Sequence, residues 1–167
     1  LKAINLRVAG CFPSGLGRVY DKKTTMRRPD PTRARTPEPC AQVASKNAQL
    51  QEQRIKVVAE MRDMVSLSSD IYYPVGNGPW PVILIRTPYN NQLPAIVMES
   101  AIYFAQNGYV VVSQDVRGRF DSDGDFTPWI NEFNDGYDTI EWIGKQDWCN
   151  GRVGMHGPSY VGNVQWQ

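Results

Sequence analysis

The chain carries a serine between two glycines in the run Gly157-Pro158-Ser159-Tyr160-Val161-Gly162. This run follows a short β-rich segment, 152–156, and leads into an incipient helix. On a sharp strand-to-helix turn, a strained serine backbone points Oγ out above the sheet, and a bulky neighbour would collide with the adjoining strand or helix. The second glycine comes one place later than in G-x-S-x-G, and serine and glycine often share turns. The position between a strand and a helix still favours Ser159 as a nucleophile.

A nucleophilic serine needs a general base, and the chain has one histidine, His156. It lies three residues before Ser159 on the incoming strand, where we expect its ring to point into or through the sheet. We therefore interpret His156 as a packed strand residue and not as the base.

Four acidic residues imitate a calcium loop, namely Asp121, Asp123, Asp125 and Glu132. An EF-hand loop requires glycine at its sixth place, which Phe126 occupies here. The segment is therefore interpreted as a solvated acidic turn, and no metal site is predicted. No phosphate-binding glycine motif occurs either, so we predict no cofactor.

The charge of the chain is divided between two segments. Residues 1–54 hold 11 basic and 4 acidic residues, whereas 55–167 hold 7 and 13. Four prolines within 27–40 remove backbone donors, so we predict that 1–54 is a disordered basic tail. Aromatic residues do not interleave with its charges, so we expect no nucleic acid partner. Residues 55–167 are predicted to form one partial domain.

Strands alternate with helices in this second segment. We predict strands at 55–61, 65–73, 80–86, 109–113 and 152–156, and helices at 94–106 and 135–145. The first two strands form an antiparallel hairpin that turns at Arg62-Asp63-Met64, and the later strands form parallel βαβ units. The inward side of the second helix is assigned to Tyr137, Ile140, Trp142 and Ile143. The fold class is therefore α/β, and its longest apolar run, 109–112, is too short to span a membrane.

Residues 57–167 resemble the opening part of the catalytic domain of the cocaine esterase, α-amino-acid ester hydrolase and X-prolyl dipeptidyl-peptidase family. These are α/β-hydrolase serine enzymes. The matching blocks stand in order: Met61-Arg62-Asp63, Asp70-Ile71-Tyr72-Tyr73-Pro74, Arg86-Thr87-Pro88-Tyr89, Gln114-Asp115-Val116-Arg117-Gly118 with Ser122-Asp123-Gly124-Asp125-Phe126, Asp138-Thr139-Ile140-Glu141-Trp142-Ile143, and Trp148 to Met155 leading into the serine run. The displaced glycine is the family's form of the nucleophile elbow.

The resemblance implies a role for three site residues. Ser159 would be the acylated nucleophile, Tyr160 would give its backbone N–H to the oxyanion, and Tyr89 would give its phenolic O–H. Arg117-Gly118 and 122–126 would shape the wall beside the nucleophile. The implied substrate is a small-molecule ester or amide or an X-prolyl peptide, and the sequence leaves this choice and the oligomeric state open.

Two departures from the family pattern stand out. Met64 replaces a glycine where the hairpin needs a positive φ. The triad order in these hydrolases is Ser, Asp/Glu, His, and 160–167 contain no histidine. We therefore expect a fragment of a serine hydrolase that is inactive as it stands, because the triad Asp and His are missing. The alternative is a noncatalytic truncated domain with a basic interaction tail.

Three cysteines, Cys11, Cys40 and Cys149, are odd in number and far apart. They form neither a zinc motif nor a disulfide framework, which favours a reducing, cytoplasmic location over secretion.

Overall fold

The computed structural model of the chain describes Ser45, residues 54–93 and residues 97–167. Its strands are β1 (Ile55–Glu60), β2 (Ser66–Tyr72), β3 (Trp80–Thr87), β4 (Val110–Asp115) and β5 (Cys149–Met155). Its helices are α1 (Glu99–Gln106), α2 (Glu132–Gly144) and the five-residue α3 (Ser159–Asn163). The predicted tail, 1–54, lies almost wholly outside the described residues, so the division at residue 54 stays a prediction.

The five strands form one mixed sheet in the order β1-β2-β4-β3-β5. β1 and β2 pair antiparallel, and so do β2 and β4, whereas β3 pairs parallel with both β4 and β5. The predicted α/β architecture, with an antiparallel hairpin that leads into parallel strands, is confirmed. All parallel strands end at the same edge of the sheet, where their connecting loops gather.

The hairpin between β1 and β2 turns where the sequence predicts. Met64 adopts φ 65° and is 79% exposed, and its N–H donates to Met61 O at 2.8 Å. A side chain in this left-handed conformation costs about 1 kcal/mol. Met64 therefore accepts the backbone geometry for which the family uses glycine.

One face of the sheet packs against α1 and α3. Its apolar core consists of Tyr72, Ile85, Val97, Ala101, Ile102, Ala105, Val111 and Val161. The predicted apolar stripe of the first helix is thus buried, although α1 begins at Glu99 and residues 94–96 lie outside the described residues. Gly108 ends this helix region with φ 85°, as expected of a glycine after a helix. Within the described residues, none of the helices is long and apolar enough to cross a membrane.

The opposite face packs against α2, and here the predicted inward side was partly wrong. Tyr137 is 55% exposed and Ile140 is 38% exposed. Ile143 is buried as predicted, but the other buried positions of α2 are Glu132, Asp135, Gly136 and Thr139. Trp142 is half-buried against the same core as Ile143, as predicted. The first half of α2 instead turns a polar side inward, because it meets a buried arginine, Arg86, on β3.

Candidate active site

The candidate nucleophile lies on a strained turn at the carboxyl edge of the sheet. The chain leaves β5 at Met155 and enters α3 at Ser159. Ser159 has φ 55°, a left-handed conformation that is uncommon for a residue with a side chain. Ser159 is exposed. The geometry is that of a nucleophile elbow, in which the strained backbone presents the serine side chain above the sheet.

The glycines on either side of Ser159 are required by space. A Cβ on Gly157 would lie 2.1 Å from Val161 Cγ1, and Gly157 has φ 144°. A Cβ on Gly162 would lie 2.9 Å from Gly157 O. The displaced second glycine therefore lets the first turn of α3 approach the incoming strand.

The side chain of Tyr160, the residue after the candidate nucleophile, is fixed by contacts with Trp129 and Glu132. Its ring stacks on Trp129 with centroids 3.9 Å apart. Its O–H donates to Glu132 Oε1 at 2.8 Å and accepts the N–H of Trp129 at 3.4 Å. Burial, followed by the hydrogen bond to Glu132 and the charge of Glu132, raises the pKa of Tyr160 to about 12. The phenol therefore stays protonated at any physiological pH.

Tyr89 reaches the same place from the end of β3. Its N–H donates to Thr87 Oγ1 at 3.0 Å, and its ring meets the edge of the Tyr160 ring with centroids 6.5 Å apart. Tyr89 is 40% exposed, so its phenol is accessible. All three predicted site residues therefore lie together at the carboxyl edge of the sheet.

An open pocket of about 380 Å³ adjoins this edge, lined by Pro88, Tyr89, Arg119, Phe126, Pro128, Trp129 and Tyr160. The guanidinium of Arg119 lies 5.2 Å from the Phe126 ring centroid, and its Nε donates to Pro88 O at 3.0 Å. Within the pocket lining, Arg119 is the one formally charged side chain. The pocket is therefore mainly aromatic with a cationic rim.

The predicted wall residues have divided roles. Phe126 lines the pocket, and Gly118 lets the chain approach closely, since a Cβ there would lie 2.1 Å from Phe126 N. Arg117 instead forms ion pairs with Asp63 and Asp135, each at 2.7 Å. These pairs and their hydrogen bonds raise the pKa of Arg117. Arg117 therefore stabilises its loop through these ion pairs and does not line the pocket.

A buried polar network lies behind Tyr160. Arg86 is fully buried, with Nη1 2.9 Å from Glu132 Oε2. It also donates from Nε to Gln114 Oε1 at 2.9 Å and from Nη1 to Glu132 O at 3.0 Å. Burial lowers the pKa of Arg86, while Glu132 and Asp135 oppose that effect. Glu132 thus connects a buried cation to the residue beside the nucleophile.

Sequence reasoning missed Trp129 and the role of Glu132. Glu132 was considered only as a calcium ligand, but its carboxylate is bound to Arg86 and Tyr160, while Asp121 pairs with Lys56. No cluster of three or more acidic, histidine or cysteine side chains within 54–93 and 97–167 is placed to hold a metal. The available signal was Arg86 itself, because an arginine in a buried strand demands an acidic partner.

His156 lies just after β5, and its N–H donates to Leu84 O at 3.1 Å. Its ring packs edge-on against Phe104 of α1, with centroids 5.0 Å apart. The ring therefore lies against α1 on one face of the sheet, which corrects the expectation that it points into or through the sheet, although His156 as a whole residue is exposed. Desolvation lowers its pKa. These contacts support a packing role for His156.

A left-handed serine between a parallel strand and a helix, above a mixed sheet of this order, defines an α/β-hydrolase fold. The family model of the X-Pro dipeptidyl-peptidase (S15) family matches residues 63–167. Because this match covers more than half of the chain, the chain belongs to that family, which is a family of hydrolases.

Individual relatives agree with this assignment. The cocaine esterase of Rhodococcus sp. (strain MB1 Bresler) is 46% identical over 114 residues, which cover 66% of this chain and 20% of the relative. An α-amino acid ester hydrolase structure is 32% identical with a TM-score of 0.57, covering 66% of this chain and 22% of that one. A CocE/NonD family hydrolase from Staphylococcus aureus is 30% identical with a TM-score of 0.58, covering 66% and 23%. The chain spans about a fifth of the length of these relatives.

Proposed function

We propose that this chain supplies the nucleophile and the oxyanion donors of an ester hydrolase that works through an acyl-Ser159 intermediate. The observation that carries the proposal is the left-handed, exposed Ser159 between two glycines that admit no side chain. Ser159 Oγ attacks the ester carbonyl carbon and loses its proton to a base. The C–O bond to the leaving alcohol then breaks, the alcohol takes up the proton, and water hydrolyses the acyl-serine.

Two donors are proposed to stabilise the negative charge on the carbonyl oxygen. The first is the backbone N–H of Tyr160, directly after the nucleophile, and the second is the phenolic O–H of Tyr89. The contact between the two tyrosine rings supports this assignment. Removal of one such donor costs about 10²–10³ in rate in other serine hydrolases.

The general base is proposed to lie outside residues 1–167. His156 is the one histidine of the sequence, and its ring packs on Phe104 of α1. The relatives are about five times as long as the matched segment, which leaves room in such a protein for an Asp/Glu and a His of a triad. Without that base, loss of activity approaches about 10⁶-fold.

The pocket beside Tyr160 supports an ester with a neutral aromatic acyl group. Its lining is dominated by aromatic rings, which favour a flat apolar group. The cationic Arg119 at its rim disfavours the free ammonium group of a dipeptide. The identity to a relative named cocaine esterase supports ester hydrolysis. The second candidate, removal of X-prolyl dipeptides, is supported by the match to the S15 family.

The test compares two substrates in the protein as its gene encodes it. We expect turnover of p-nitrophenyl benzoate with a kcat/KM at least tenfold above that for alanyl-prolyl-p-nitroanilide, and labelling by a fluorophosphonate probe. Ser159→Ala abolishes turnover and labelling, whereas Ser100→Ala, a serine in α1, leaves both unchanged. Labelling that persists in Ser159→Ala contradicts the acyl-serine, and a preference for the prolyl substrate favours the second candidate. Absence of both activities supports the noncatalytic alternative.

A further inference from the structure

We infer that Glu132 is a positioning residue for the oxyanion site, because it ties the side chain of Tyr160 to the buried Arg86. This inference rests on the proposed function, since it concerns the residue that would give its backbone N–H to the oxyanion. Glu132 does not face the pocket and is not proposed to touch the substrate.

The two carboxylate oxygens of Glu132 have separate partners. Oε2 lies 2.9 Å from Arg86 Nη1, and Oε1 accepts the O–H of Tyr160 at 2.8 Å. Glu132 is only 4% exposed, so its ion pair with Arg86 and its hydrogen bond from Tyr160 form where solvent does not weaken them. The carboxylate cannot leave Tyr160 without also disturbing its pairing with the arginine.

Arg86 gives this connection a fixed anchor. It stands on β3, between β4 and β5, it is fully buried, and its Nε donates to Gln114 Oε1 on β4. A Cβ on Gly136 would lie 3.2 Å from Arg86 Nη1, so a side chain at that position of α2 would crowd the guanidinium. The anchor is therefore enclosed between the sheet and α2.

The short helix α3, which carries the candidate oxyanion donor Tyr160, needs support from the rest of the fold. α3 has five residues, and a helix of one turn has little stability of its own. Trp129, which stacks on Tyr160, is itself held at φ 70°. The hydrogen bond from Tyr160 to Glu132 therefore joins the elbow to the sheet through the far end of the tyrosine. Loss of that bond frees the residue whose backbone N–H must point at the developing charge.

The consequence is an effect on the chemical step and not on substrate binding. A small displacement of a donor weakens its interaction with the transition state, and a misplacement of about 1 Å costs up to about 10²-fold. Ground-state binding in the aromatic pocket depends on ring surfaces that remain. Variants that break the bond should therefore lower kcat while KM changes little.

The experiment measures p-nitrophenyl benzoate hydrolysis by the protein as its gene encodes it and by three variants: Glu132→Gln, Tyr160→Phe and the double variant. Each single variant is expected to lower kcat about 10- to 100-fold with KM within about threefold. The double variant should be no slower than the slower single variant, because Tyr160→Phe removes the hydrogen bond whose acceptor charge Glu132→Gln neutralises. Asp138→Asn, which removes another acidic group of α2, is the matched control and should retain kcat.

A spectroscopic readout accompanies the kinetics. Burial and, after it, Glu132 raise the pKa of Tyr160, so in Glu132→Gln this tyrosine should ionise at a lower pH in ultraviolet difference spectra than in the parent protein. Unchanged spectra would show that the bond is not made in solution and would overturn the inference.

The outcomes separate this inference from the proposed function. Turnover that survives Ser159→Ala refutes the proposed function itself. Ser159-dependent turnover with an unchanged kcat in Tyr160→Phe refutes only the positioning role, even if Glu132→Gln fails to fold. Multiplicative losses in the double variant refute it as well.

Discussion

At its carboxyl edge the sheet carries a buried polar layer on each face, and the two layers are built differently. The arginine layer, on the α2 face, consists of Arg86, Gln114, Glu132, Asp135 and Thr139. The aspartate layer, on the α1 face, consists of Asp70, Asn91, Ser113 and Asp115. Both are almost fully buried, but only the first contains a buried cation among its members.

The charges of the arginine layer are matched. Glu132 and Asp135 share Arg86, with shortest distances of 2.9 and 3.9 Å, and Asp135 also binds Arg117. In the aspartate layer, Asp115 Oδ1 accepts the N–H of Asn91 at 2.7 Å. Asp115 Oδ2 and Asn91 Oδ1, however, make no hydrogen bond to the described residues, and neither faces a cation among them. Arg86 Nη2 and Glu132 Oε2 also lack hydrogen-bond geometry, but each lies within ion-pair distance of an opposite charge. Asp70 meets a cation, Arg54, at 3.5 Å, and that side chain is 34% exposed.

The two layers of buried polar groups therefore have different consequences. Matched charges fix a geometry, and the arginine layer lies directly behind Tyr160, where geometry matters for the proposed chemistry. An unmatched buried carboxyl instead resists ionisation, and burial raises the pKa of Asp115 to about 6. The arginine layer should therefore govern stability through its charge, whereas the aspartate layer should make stability depend on pH.

The largest effect is expected from Arg86→Met, which leaves Glu132 buried without its cation. Loss of one partner of a buried ion pair costs about 3–5 kcal/mol in the free energy of unfolding, which urea denaturation measures. Arg62→Met is the control, because Arg62 pairs with Asp138 at the surface and such pairs contribute little. Equal stability of the two variants would show that the arginine layer does not depend on its cation.

Asp115→Asn is expected to raise the free energy of unfolding at neutral pH, whereas Arg86→Met lowers it. The folded-state pKa of Asp115 lies above the ordinary value of 3.8, so the folded state holds the proton more tightly than the unfolded state. The stability of the folded state therefore falls as pH rises from about 4 to about 6. The amide keeps an acceptor for Asn91 and carries no charge. At pH 7 the variant should therefore be more stable by about 1–3 kcal/mol.

The pH profile provides the check on this second prediction. The advantage of Asp115→Asn should shrink as pH falls from 7 to 4, where Asp115 is protonated in the folded state. Asp138→Asn is a control whose stability should change with pH in the opposite direction, because the hydrogen bond from Arg62 lowers the pKa of Asp138. Because this pair is at the surface, that variant should lose only a little stability at pH 7, and the deficit should disappear in acid. An Asp115→Asn variant that is less stable at pH 7 contradicts the contrast between the layers.

Part of this arrangement is readable from the sequence. Apolar runs and the glycines around Ser159 predict the strands, the hairpin and the elbow, because backbone geometry and local sterics determine them. The polar inward side of α2 was not predicted, since Tyr137 and Ile140 are its more apolar residues. Its orientation depends on Arg86, which lies 46 residues before Glu132 and meets it only in the folded sheet. Contacts of this kind leave no periodic signal.

The smallest effect is expected from Thr139→Val, which removes one hydroxyl from the arginine layer and preserves its shape. Thr139 Oγ1 lies 3.0 Å from Gln114 Oε1 and 2.6 Å from Asp135 O, and its single proton serves one acceptor at a time. Gln114 Oε1 keeps its donor from Arg86, so the expected loss is only about 1 kcal/mol. Urea denaturation should give the same loss at pH 4.5 and pH 7, because no charge changes.

Thr139→Ser keeps the hydroxyl and serves as the control for that loss. If Thr139→Val instead costs as much as Arg86→Met, the hydroxyl must help to hold Gln114 and Arg86 in place, and the layer acts as one cooperative unit. A loss that grows between pH 4.5 and pH 7 would contradict the contrast between a fixed arginine layer and a pH-sensitive aspartate layer, because the arginine layer would then depend on pH as well.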